Sequence, residues 1–384
     1  MKTLMRHHAA AKFLTAAFLG ALGVALPGHA RAQDIVVGQT LSLTGPSAVI
    51  AKDLLRGRQA CIEMINSQGG IRGRHLKLLT RDDRNDPVTA AQLAKELAEQ
   101  DRAVVMLGSM GPAVNSAVLE WANSTGMAVV APYGGDIENR RAGFETAYFL
   151  TANQSAEAER LGAHVASLDL KRVVIVYGSD RAGRAALTAL EEGLGVTNVA
   201  AVASIAVNPD GGNADAAARE LAKTQAQAVL LATSGRATVA MLKALTSAAP
   251  GAPPLLQVYG LSSAASQAEL AELGARARGF SMSQVIPLPR DGRVPMVAMF
   301  QSAMRNVPGE RTYAELEGCM GPLALAEVLR RKPVDPSRSG ILQAMKSAGR
   351  INLGGFEIDL GDRAQPGSRF TDIVYVGSDG RILR

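Results

Sequence analysis

Apolar positions along this chain recur in two patterns that alternate. Short apolar runs bounded by Gly, Ser, Pro or Asp mark buried strands, and longer stretches with apolar residues every three or four positions mark helices. Ile35–Leu41 reads as a strand, followed by a loop over 42–46 and a helix over about 49–68 that Gly69 and Gly70 end. A strand at 75–81 leads to Asp86 and Pro87, which suit the N-cap and first position of a helix with Val88, Ala91, Ala94 and Leu97 as its apolar stripe. Two buried runs follow, 104–107 and 127–130, each opening into a loop of small residues, with a helix over Pro112–Thr125 between them. Val114, Val118 and Trp121 or Ala122 share one face of that helix.

The alternation restarts near residue 150. Helices are expected at about 155–168, 214–224 and 238–247, and strands at about 172–177, 199–206, 228–232, 255–259 and 280–286, with another helix after Asp180. Beyond Pro287 the pattern gives helices over 294–306, Tyr313–Arg331 and 339–348, then two tail strands at 356–359 and 370–376. Repeated β–α alternation specifies an α/β fold with doubly wound parallel sheets. The break near 150 has no Pro/Gly/Ser-rich linker, so two lobes are expected to join through a multi-strand hinge rather than a tether. The division expected is 33–151 with about 285–340 in lobe 1, and 152–284 with about 341–384 in lobe 2.

Composition changes little in this picture. The 384 residues are 47% hydrophobic and 20% charged, ordinary for a globular chain of two domains. The formal charge is +6, but Lys2, Arg6, Lys12 and Arg31 lie within residues 1–32, where there is no acid. That segment has a basic start, an apolar run over 13–26, a break at Pro27-Gly28 and the small-x-small sequence Ala30-Arg31-Ala32. It reads as a cleavable secretory signal peptide, too short to span a membrane, with a mature start near Gln33. Cleavage would leave a charge near +2, which argues against a nucleic-acid partner.

Catalytic and metal constellations are missing. His75 and His164 lie apart with no ligand-spaced partners, and there is no G-x-G-x-x-G, no phosphate-binding P-loop and no G-x-S-x-G elbow. No enzyme and no cofactor are expected. Cys61 and Cys319 read as two buried thiols, with a disulfide in an oxidising compartment as the alternative. Trp121 reads as core, and Glu317 as a structural residue near a helix start. The candidate ligand cradle lies where parallel strands end, since ligands sit beyond the carboxyl ends of such strands. It comprises Ser109, Gly111, Pro112 and Ala113 from the first loop and helix start, and Tyr133, Gly134, Gly135 and Asp136 from the second. Tyr177 and Asp180 face them from the other lobe, Asp180 either capping a helix or meeting a ligand cation. Backbone N–H groups at a helix start suit a carboxylate.

Several motifs resemble those of a known family. Leu43-Thr44-Gly45-Pro46, Glu63-Met64-Ile65-Asn66 with Gly69-Gly70-Ile71-Arg72-Gly73-Arg74, and Asp82-Asp83 with Asp86-Pro87 are similar to the periplasmic binding proteins of branched-chain amino acid ABC transporters. Leu316-Glu317-Gly318, Leu353-Gly354-Gly355-Phe356 and Gly367-Ser368-Arg369-Phe370 resemble one subgroup of that family. The resemblance implies the type I periplasmic fold with three hinge crossings. It also implies a monomer that traps a small amino acid or organic acid and delivers it to a permease. The alternative is a sensor of the same fold that signals without transport. The hydroxyl residues with which the family grips an amino acid are replaced here by Pro112 and Gly134-Gly135. An aromatic residue of the second lobe becomes Ala182, and a common cysteine pair becomes Arg84 and Gly111.

Overall fold

The computed structural model describes residues 33–45, 47–134, 137–247, 256–362 and 365–384. The expected signal peptide at 1–32, and Gly135 and Asp136 of the expected cradle, lie outside the described residues.

The first lobe opens with β1 (Ile35–Leu41), α1 (Ala48–Ser67), β2 (Leu76–Asp82), α2 (Pro87–Glu99), β3 (Val105–Leu107), α3 (Pro112–Thr125), β4 (Val129–Val130), α4 (Ile137–Arg141) and β5 (Ala147–Tyr148). The five strands form one parallel sheet in the order β2-β1-β3-β4-β5. The order reverses between β1 and β3, which puts the crevice of this lobe at their carboxyl ends.

The second lobe runs through α5 (Gln154–Ser167), β6 (Val173–Gly178), α6 (Arg181–Gly195), β7 (Ala201–Val207), α7 (Ala214–Lys223), β8 (Ala228–Ala232), α8 (Arg236–Ser247), β9 (Gln257–Gly260), α9 (Gln267–Leu273) and β10 (Ser281–Gln284). The chain then adds α10 (Pro295–Ala303), α11 (Tyr313–Arg331), α12 (Arg338–Lys346), β11 (Arg350–Asn352), β12 (Glu357–Asp359), β13 (Asp372–Val376) and β14 (Ile382–Leu383). The second sheet has the order β14-β13-β10-β9-β8-β6-β7. Its β6–β10 part is parallel, while β13 and β14 pair antiparallel at one edge, a mixed arrangement that the run pattern does not reveal.

Three chain segments cross between the lobes. Leu150 and Ala152 belong to the first core and Ala158 to the second; Met282 belongs to the second and Val285 to the first; Leu360 belongs to the first and Val374 to the second. The third crossing corrects the division expected at 341. Ile341, Met345, Ile351, Leu353, Phe356 and Ile358 pack into the first core, because the β11–β12 hairpin and α12 cover α11 rather than the second sheet.

Two further expectations give way to packing. The apolar stripe of α2 is Ala90, Ala94, Leu97 and Ala98, whereas Val88 is 78% exposed. Small alanines let α2 approach β1 and α3, and the spacing alone did not select that face. Cys61 and Cys319 form a disulfide between α1 and α11, with Cα atoms 5.3 Å apart across 258 residues of sequence, which overturns the expectation of free thiols. Trp121 packs at the margin of the core formed by α2 and α3.

Helix α11 carries a capping box. The Thr312 hydroxyl accepts from the Glu315 N–H at 3.1 Å, and the Glu315 carboxylate accepts from the Thr312 N–H at 3.0 Å. The Glu315 carboxylate is also held by Arg56 of α1 at 2.9 Å. Replacing Thr312 by alanine is expected to lower stability by about 1 kcal/mol, read as a shift in the urea midpoint at unchanged slope.

Candidate functional site

The carboxyl ends of β4, β5, β9 and β10 converge with the N-terminal turns of α1 and α11 on a cavity of about 140 Å³. Both lobes contribute to its wall. Tyr133 and Gly134 follow β4 and Asp53 lies on α1, while Ser262 follows β9 and Gln284 ends β10. Tyr313 and Glu317, one helical turn apart on α11, complete it. Tyr313 packs against the cores of both lobes, so this wall sits at the hinge. A second cavity of about 70 Å³ lies at the reversal of strand order in the second sheet, where Gly178 at the end of β6 and Asp180 beyond it meet Thr233 and Ser234 after β8.

The expected cradle is only partly brought together. Tyr133 and Gly134 line the main cavity, and Asp180 lines the smaller one. Asp180 is engaged as the N-cap of α6, accepting from the Gly183 N–H at 2.8 Å. Ser109, Gly111, Pro112 and Ala113 line neither cavity, and each has a local reason. The Ser109 hydroxyl is buried against the Thr40 hydroxyl at 2.7 Å, and its carbonyl accepts from the Tyr133 N–H at 2.9 Å. Gly111 turns the chain into α3 with φ +86°, and Pro112 at the first helical position has no N–H to offer. The Pro112 carbonyl accepts from the Asn139 side chain at 2.9 Å, while Ala113 is exposed. Tyr177 is half-buried and packs in the core between α5, α6 and the second sheet.

Of the residues that dominate the site electrostatically, Glu317 falls in the Leu316-Glu317-Gly318 motif but reads from sequence as structural, and Glu157 lies in no motif. Burial is the main cause that pushes the Glu317 carboxyl up to about 7; the nearby Glu157 adds to it, and Arg140 and Arg58 oppose it. No described residue donates a hydrogen bond to Glu317. Glu157 lies behind the wall, accepting from the Ser262 N–H at 2.7 Å and the Ser283 hydroxyl at 2.6 Å; burial raises its carboxyl in spite of both bonds. Burial likewise raises the phenols of Tyr133 and Tyr313, and the Tyr313 hydroxyl has no partner.

The basic residues nearby spend most of their donors on the protein, although the buried Arg58 Nε has no partner. Arg140 donates to the Thr151 carbonyl at 3.0 Å and lies over the Phe149 ring at 4.3 Å. Arg58, 1% exposed, donates to Gln39 Oε1 at 2.6 Å and the Gly108 carbonyl at 2.8 Å, and burial lowers its guanidinium to about 9. Arg56 bridges Asp53 at 2.6 Å and Glu315. The placement of Glu317 follows from how α11 docks on α1. Thr312 and Glu315 form the capping box, and Gly318 meets α1 backbone, so the intervening Glu317 projects from the flank of the helix beside the contact.

Among the described residues no group of His, Cys, Asp and Glu is arranged to hold a metal ion, and no helix is long and apolar enough to cross a membrane.

Comparison with known proteins agrees with this geometry. An extracellular ligand-binding receptor from Verminephrobacter eiseniae superposes with a TM-score of 0.81 at 27% identity, covering 91% of this chain and all of that one. The branched-chain amino acid transporter substrate-binding protein from Streptococcus pneumoniae, solved with isoleucine, superposes with a TM-score of 0.76, covering 91% and 97%; at 14% identity it speaks for the fold alone. In sequence, a Leu/Ile/Val-binding protein homolog from Brucella melitensis is 26% identical over 188 residues, 48% of this chain and 50% of that protein. The matched stretch thus spans about half the length of such curated relatives. The fold is the type I periplasmic binding architecture of two lobes. Residues 34–381, nearly all of the described chain, match the sequence model described as periplasmic binding protein, and the chain belongs to that family of solute-binding proteins.

Proposed function

We propose that this protein is the periplasmic solute-binding component of an ABC importer, exported by its N-terminal segment, which captures a small metabolite between its lobes and presents it to a permease without chemical change. The observation that carries the reading is the cavity at the hinge, walled by Tyr133 and Asp53 of one lobe and Ser262 of the other. A ligand held by both walls favours the closed arrangement by the difference in its affinity for closed and open states. The test is a thermal-shift screen of amino acids, organic acids and amines on the purified protein. A true ligand at 100 times its Kd is expected to add roughly 2.7 kcal/mol of stability. Silence across all three classes would remove the reading.

A sensory role on the same fold is the second reading. A chemotactic signal-transduction substrate-binding protein from Halobacterium salinarum is 32% identical over 102 residues, 26% of this chain. Restored uptake in a transport-deficient host would decide for import, and altered swimming without uptake for sensing.

A further inference from the structure

The walls of the main cavity carry charge of one sign. Two carboxylates, Asp53 and Glu317, line it, and among the described residues no Lys, Arg or His does. Asp53 is paired with Arg56, whose other contact is the buried Glu315. Glu317, partly buried, lines the cleft and accepts no hydrogen bond from any described residue. An unpaired carboxylate in such a place is costly to the folded protein unless a partner arrives from outside. Arg140 and Arg58 reduce that cost at a distance, yet they donate to backbone carbonyls, the Thr151 hydroxyl and Gln39. They are therefore poor candidates for gripping a ligand carboxylate.

The rest of the lining fits the same occupant. Tyr133 and Tyr313 bring two aromatic rings to the cavity wall, and aromatic faces attract cations. Ser262, Gln284 and Thr312 add neutral polar groups. A carboxylate ligand would enter against Glu317 with no cation in the wall, the reverse of what a helix start at Ala113 was expected to offer.

Resting on the solute-binding reading above, we infer that the ligand is a small organic cation, a protonated or quaternary amine, whose charge is received by Glu317 between Tyr133 and Tyr313. A free carboxylate is not part of the recognised structure. Glu317 faces Asp53 and Arg58 from α1, Arg140 from α4, Glu157 from α5, Tyr133 after β4 and Tyr313 of its own helix.

The competing occupant is a carboxylate accepting a hydrogen bond from protonated Glu317, and the two differ in the sign of their pH dependence. Ionised Glu317 predominates above about pH 7. Amine affinity should therefore rise with pH to a plateau, falling about tenfold per unit below 7, whereas carboxylate affinity should rise as pH falls.

The experiment is isothermal titration between pH 5 and 8.5 with isoamylamine, leucine and 4-methylpentanoate, which share a branched skeleton, and with their shorter homologues. Tighter binding of amines at pH 8, lost toward pH 5, supports the inference. Glu317→Gln is expected to lower amine affinity at least tenfold and flatten the profile without lowering the melting temperature, with Asp53→Asn as a second variant on the same wall. Preferential binding of leucine or 4-methylpentanoate, or an unchanged amine affinity in Glu317→Gln, overturns the cationic assignment and leaves solute binding intact. Absence of binding by every probe overturns both.

Discussion

Gly57→Ala is expected to unfold at markedly lower urea than the parent protein, with a loss of about 3 kcal/mol or more. Helices α1 and α11 make the most extensive pairing of elements among the described residues. Their backbones touch at two glycines: a Cβ on Gly57 would collide with the Glu315 carbonyl, and one on Gly318 with the Leu54 carbonyl. Neither obstacle is a side chain that could rotate away. The helices would have to separate, pulling Glu315 from Arg56 and loosening the buried residues around Leu316 and Met320. A useful control is Gly195→Ala at the end of α6, where an added Cβ meets nothing within 4 Å. That change should be neutral or slightly stabilising, because it only lowers the freedom of the unfolded chain. Equal urea midpoints for Gly57→Ala and the parent would mean that the two helices do not meet as described. The site should report the damage as well, since α11 carries Tyr313 and Glu317 and α1 carries Asp53.

Removing the disulfide is expected to have an effect at least as large. The Cys61–Cys319 bond closes a loop of 258 residues and joins the same two helices. In the unfolded chain such a closure excludes a large set of conformations, and chain entropy sets a stabilisation of about 5 kcal/mol for a loop of this length. The double variant Cys61→Ala with Cys319→Ala should lose that amount in urea unfolding, and reduction of the parent protein should reproduce most of it. Single variants would add an unpaired thiol in the core without further benefit. Thiol titration in denaturant provides the direct check: the oxidised protein should yield no free thiol, and two thiols per chain would refute the bond.

Both predictions concern contacts between residues more than 250 positions apart, which a local pattern does not encode. Capping and periodicity act within a few residues. They placed α1, α11 and the strand Ala228–Ala232 within about one residue of their observed limits. The same locality explains the failure at α2. Val88 and Ala90 are equally compatible with an apolar stripe, and the choice between them depends on what lies opposite. The cradle is split between cavity lining and buried loop for a related reason. Strand ends were located correctly, but the loops after β3 and β4 bond to each other through Ser109 and Tyr133, so the first turns away while the second faces the cleft. Glu317 was visible in the chain and read as structural, because its accessibility to the cavity depends on α11 being docked at the hinge.

The sequence by itself determined the alternation of strands and helices, the two-lobed α/β class and the family, because these rest on short-range spacing and on motifs spread along the whole chain. Tertiary structure decided the covalent link between Cys61 and Cys319, the attachment of residues 338–360 to the first lobe, and the antiparallel edge made by β13 and β14. It also decided which groups face the cleft. Each of these is a long-range choice, set by which surfaces bury one another rather than by the order of residues within any one element.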